Sequence, residues 1–198
     1  MQLRTARQAW HDAYYTPWDS VMAHCMTMAK LGTDVQRSES DRSTAQAWHQ
    51  VIAGKVQAAI KTLPYPLQAF GHALYAPQAT DEEREIAESM VYGYAGSQMG
   101  RMTAKKAEKA LYVAAGVFFR YRHMVQGGQD GSRDPLAASE RFIAWLYDEY
   151  GIEISNEHWG RDWADYIQYC FRACNDFDRD ALAPVAKMIN EFTGRDAA

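Results

Sequence analysis

A chain of 198 residues, 47% hydrophobic and 23% charged, has enough apolar material for a sizeable core and enough charge to stay dissolved. The formal net charge of −4 excludes a protein that coats nucleic acid through its overall charge alone, and three cysteines, Cys25, Cys170 and Cys174, are too few for a disulfide framework. No signal-like apolar run follows the first residues, and the longest weakly polar stretch, Ala110 to Phe119, is too short to span a bilayer, so the expectation is a cytoplasmic protein with no membrane association.

The helix starts and stops are legible in chain order. Leu3 to Tyr14 can form a first short helix. Thr16-Pro17-Trp18-Asp19 sets a cap residue, a proline at the first helical position and a carboxylate two residues on, which predicts a helix to about Leu31 with Gly32 as its stop. After the polar connection Thr33 to Ser40, the stripe Ala47, Trp48, Val51, Ile52, Val56, Ala59, Ile60 and Leu63 predicts a helix to about Thr62. Leu63-Pro64-Tyr65-Pro66 ends it, and Pro66 opens a short helix to Tyr75. Thr80-Asp81-Glu82-Glu83 reads as a capping box. The helix it starts carries Ile86, Met90 and Val91 and then meets Gly93, Gly96 and Gly100, which argue for a turn or flexible connection.

Thr103 is placed to cap a basic helix reaching about Val125, and Gly127 to Ser132 reads as a hinge or mobile loop. Asp134-Pro135 predicts another helix start, with Phe142, Ile143, Leu146, Tyr147 and Tyr150 as its apolar stripe. Gly151 to Ser155 reads as a loop anchored by its isoleucines. Ser155 to His158 then caps a helix to about Cys174, and Asp178 caps a last one ending near Gly194. The sum is an all-α protein of seven to nine helices, with the two closely packed helical regions drawn at 1–126 and 134–198. Gln8-Ala9-Trp10-His11 recurs as Gln46-Ala47-Trp48-His49, but two copies without a third do not make a solenoid.

The chemistry-bearing residues form no catalytic or metal constellation. The six histidines are scattered, and none pairs with another at the spacing of a helical zinc site. Cys170 and Cys174 read as small buried side chains one turn apart. Asp176, Asp178 and Asp180 imitate the opening of a calcium loop, yet Ala181 and Lys187 stand where that loop needs glycine and glutamate, so they read as a capping turn. Gly96-Ser97-Gln98-Met99-Gly100 is not a nucleophile elbow. Neither a P-loop nor a dinucleotide fingerprint is present, so no enzyme activity and no cofactor is expected.

Charge distribution is more informative than its sum. From Arg101 to Met124 six basic residues face one acidic residue, a local +5, while from Glu140 onward twelve acidic residues face six basic ones. Arg101, Lys105, Lys106, Lys109, Arg120 and Arg122 are therefore the candidate nucleic-acid contacts, with Tyr112, Phe118, Phe119 and Tyr121 interleaved among them. The alternative is a non-enzymatic protein-interaction module that uses an acidic and aromatic helical surface, the acidic C-terminal region being the expected contact.

Val56-Gln57-Ala58-Ala59-Ile60-Lys61-Thr62-Leu63-Pro64, followed by Phe70-Gly71-His72-Ala73-Leu74-Tyr75-Ala76-Pro77, resembles phage late-gene antitermination proteins of the Q type. The acidic helix and basic segment that follow are similar in character, so the resemblance covers roughly residues 50 to 125. It implies a transcription regulator that engages DNA and RNA polymerase so that elongation passes through terminators. Some members of that group carry paired Cys-x-x-Cys zinc ligands; this chain has no Cys-x-x-Cys, and zinc is not expected.

Overall fold

The computed structural model describes residues 5–15, 40–126, 134 and 136–194, with side chains in the second span from residue 49. Seven helices and no strand occur among the described residues: α1 (Ala6–Tyr14), α2 (Ser40–Ile60), α3 (Tyr65–Tyr75), α4 (Asp81–Met99), α5 (Ala104–Gln126), α6 (Ser139–Tyr150) and α7 (Trp159–Thr193). The helix expected at 17–31 and the hinge expected at 127–132 lie outside the described residues.

Several elements are set by their own sequence. Thr5 caps α1 by accepting from the Gln8 amide. Thr80 and Glu83 form the reciprocal capping box of α4. Gly100, at φ +70°, ends α4 in a conformation that a side chain would disfavour, so the stop falls on the last of the three glycines. Gly93 and Gly96 are simply helical: the expected turn among them does not form, because the surrounding residues favour helix enough to absorb two glycines.

Two expected helix starts are also displaced. Asp134 does not begin α6; its carboxylate accepts from the Leu136 amide and from Arg120, and the helix starts at Ser139. Asp178 does not cap a final helix. It lies within the 35-residue α7, buried, and accepts from the Tyr121 hydroxyl at 3.0 Å. A tertiary partner has overridden the local capping preference of an aspartate.

The chain divides into two compact units. One comprises Met1–Pro64, Tyr75–Gln78 and Leu182–Ala198. In it Trp10, fully buried, sits 6.1 Å from the Tyr75 ring, and Gln57 Nε2 donates to the Ala13 carbonyl at 2.8 Å. The other comprises Tyr65–Leu74 and Ala79–Ala181.

The boundary drawn from sequence at 127–133 therefore does not separate the units. The reason lies in the aromatic residues after 134. Phe142, Leu146, Trp163 and Tyr166 are all buried, Trp145 stacks on Phe119 at 4.9 Å, and the Tyr166 hydroxyl donates to the Ala110 carbonyl at 3.0 Å. An apolar stripe cannot remain in water, and α6 and the first part of α7 bury theirs on α5. Gly116 makes the closest approach: a Cβ there would lie 2.6 Å from Phe142 Cζ and 3.1 Å from Trp145 Cζ3.

Candidate functional site

Helices α4 and α5 are joined by only four residues, 100–103, and pack on each other, so they form an antiparallel hairpin. This hairpin positions the basic residues singled out by charge, and it treats them differently. At its corner Arg101 and Lys105 are exposed, with no hydrogen bond or ion pair among the described residues. Lys106 and Lys109 are half-buried. The Lys106 ammonium lies 5.3 Å from the centre of the buried Trp163 ring, and Lys109 Nζ donates to the Glu153 carbonyl. Together with Thr103, Glu108, Ile154, Ser155 and Asp162, these lysines line a depression of about 600 Å³.

That depression is electrically mixed. Asp162 is held below the usual carboxylate range by its hydrogen bond from Arg161, with Lys106 and His158 adding to the effect. Arg120 is not part of it: its Nε bonds Asp134 and its guanidinium lies 5.2 Å from the centre of the Phe171 ring. Arg122, near the far end of α5, is half-buried, its Nε has no hydrogen-bond partner among the described residues, and burial with help from Arg84 lowers its pKa. The structure thus brings Lys105, Lys106 and Lys109 together, with Arg101 at the adjoining corner, and places Arg120 and Arg122 in other surroundings.

A second surface lies on the opposite half of α4. Pro66, Ile86 and Met90 contribute the apolar part of a groove of about 460 Å³ that Glu82, Glu85 and Ser89 complete. Tyr65, 55% exposed, donates to Glu82 Oε1 at 3.3 Å. Among the described residues Glu85 has no ion pair, whereas Arg84 is turned to Asp81 and to the Ala79 carbonyl. This groove lies outside the acidic C-terminal third. Its signal was present as the acidic run Asp81 to Glu85 on a helix that carries Ile86 and Met90, preceded by Tyr65-Pro66.

Burial and a neighbouring like charge act together on one carboxylate of α4. Burial first and the neighbouring Glu85 second push Glu88 up to about 6, against the opposing pull of Arg84. The folded chain therefore holds a proton between about pH 4.5 and 6 that the unfolded chain has released. The associated stability is present at low pH and is lost as pH rises through that window. Glu88→Gln should raise stability at pH 7 by about 1 kcal/mol, after allowing for solvent screening of a half-exposed group. The gain should vanish near pH 4. Urea unfolding of both proteins at the two pH values checks this, and an equal gain at both would assign the effect to packing rather than to charge.

Other candidate chemistry is accounted for structurally. The three aspartates of the calcium-like run are each engaged by side chains of the fold: Asp176 and Asp180 share Arg179, Asp176 also accepts from Tyr94, and Asp178 accepts from Tyr121. Among the described residues no three His, Cys, Asp or Glu side chains gather as a metal site. No helix among them is long and apolar enough to cross a membrane. Comparison of the chain with protein-family models, with curated proteins and with solved structures finds no match.

Proposed function

We propose that the chain is a non-catalytic protein-interaction module whose contact surface is the acidic groove of α3 and α4. The supporting observation is the combination of an apolar floor, Pro66, Ile86 and Met90, with Glu82 and Glu85 at its edge and the exposed Tyr65 beside it. An apolar floor with acidic margins suits an amphipathic segment that carries lysine or arginine beside its apolar anchors. A designed Lys/Leu amphipathic peptide, followed by fluorescence anisotropy, is a direct probe. Glu82→Lys with Glu85→Lys should weaken its binding by at least ~10-fold, and Tyr65→Ala by less. Equal binding by wild type and the double variant would sink the groove as the contact surface.

A second reading is a DNA-associated transcription regulator, as the Q-type resemblance implies, with antitermination through RNA polymerase. It is favoured by Arg101 and Lys105, exposed and unpaired among the described residues at the start of a 23-residue helix. Lys105→Gln is the clean test, because Lys106 and Lys109 also hold contacts within the fold. On this reading duplex affinity falls steeply with salt, and Lys105→Gln flattens the slope by about one unit. An unchanged slope would remove Lys105 from phosphate contact.

A further inference from the structure

We propose that copies of this chain associate head to tail, the basic corner between α4 and α5 of one copy entering the acidic groove of the next. The proposal rests on the reading of that groove as a protein-contact surface and names its occupant.

The corner projects two free cations. Arg101 and Lys105 are exposed and unpaired among the described residues, with the half-exposed Met102 between them. Gly100, at positive φ, sets the reversal of direction between α4 and α5 that presents this segment at the end of the hairpin. The groove offers the complement: among the described residues Glu85 has no ion pair and Glu82 is held only by a neutral phenol, beside the apolar side chains of Ile86 and Met90. Arginine and lysine on either side of a methionine therefore meet glutamates beside an isoleucine and a methionine, and the charges are opposite.

The two surfaces cannot satisfy each other within one molecule. From Glu85 to Arg101 the chain advances sixteen residues, most of them along α4, or about 24 Å at the helical rise. Complementary patches at the two ends of one rigid helix can meet only between copies. Such a contact joins different patches on the two partners, so association continues to a ring or an open chain rather than stopping at a two-fold dimer. Charge pairs at the rim of a small contact make it weak and sensitive to salt.

Sedimentation velocity on the full chain tests this. At low ionic strength the weight-average sedimentation coefficient should rise with protein concentration up to roughly the millimolar range, and it should return to the monomer value in high salt. Arg101→Glu with Lys105→Glu should be monomeric, and so should Glu82→Lys with Glu85→Lys, each with wild-type helicity and cooperative unfolding. Mixing the two variants should restore association, because every contact is then again between opposite charges. A wild type that stays monomeric throughout would overturn the proposal, and so would association that survives both reversals or fails to return on mixing. If the chain is monomeric yet the Lys/Leu peptide still binds the groove, head-to-tail pairing falls while the interaction reading stands. Loss of peptide binding as well brings down both.

Discussion

Gly116→Ala should destabilise the protein by about 1–3 kcal/mol, although alanine is the better helix former by about 1 kcal/mol. Gly116 lies in the middle of α5, and the added methyl carbon would meet the Phe142 ring at 2.6 Å. That ring is 1% exposed and has Trp159 5.4 Å from its centre, so it has no open side to retreat into. Truncating the ring should remove most of that penalty. Phe142→Ala alone costs about 3–5 kcal/mol for the lost packing and the cavity, but in that background Gly116→Ala keeps only the 3.1 Å approach to Trp145 and should cost clearly less than in wild type. A double-mutant cycle by urea unfolding measures the coupling. Additive effects would show that the close approach of α5 and α6 is not what requires glycine.

Tyr121→Phe is the other substitution with a large expected effect, about 1–3 kcal/mol from the loss of a single oxygen. The hydroxyl donates to Asp178 at 3.0 Å and lies 3.2 Å from Asn175 Oδ1, and Asp178 is the one buried charged residue among the described residues. Removing the phenol deprives a desolvated carboxylate of a donor, and that is costlier than losing a bond in water. Asp178→Asn retains an acceptor for the phenol and should cost less than Asp178→Ala. Denaturant midpoints at constant slope check the order. A Tyr121→Phe variant within a few tenths of a kcal/mol of wild type would mean that the carboxylate is satisfied without it.

The same tyrosine explains where sequence reasoning stopped. Caps and prolines act over three or four residues, so Thr80 with Glu83 and the Pro64 to Pro66 corner mark helix ends that the structure also has. Asp178 carries the same local signature, but its partner is 57 positions away, and nothing near residue 178 announces it. Read locally, one long helix therefore divides into two. Asp134 likewise spends its carboxylate on Arg120 and on a turn before Ser139.

The basic residues repeat this lesson. Helical spacing places Lys105 and Lys109 one turn apart, and they do line one depression. What distinguishes a free cation from a committed one arrives from 44 or more positions away: Trp163 under Lys106 and the Glu153 carbonyl on Lys109. Charge counting cannot see an uncharged acceptor or an aromatic face. The groove of Glu82 and Glu85 escaped for the complementary reason, since its apolar floor joins one residue of α3 to two of α4.

The long helix α7 also decides the chemistry of two thiols. Cys170 and Cys174 are fully buried on it, and burial pushes Cys170 up to about 12 and Cys174 well above its ordinary value. At neutral pH a thiol with such a pKa is ionised in only about one molecule in 10⁵, and the thiolate is the species that attacks electrophiles and disulfides. Alkylation or exchange at these positions must therefore wait for α7 to open, so the free energy of that opening scales its rate.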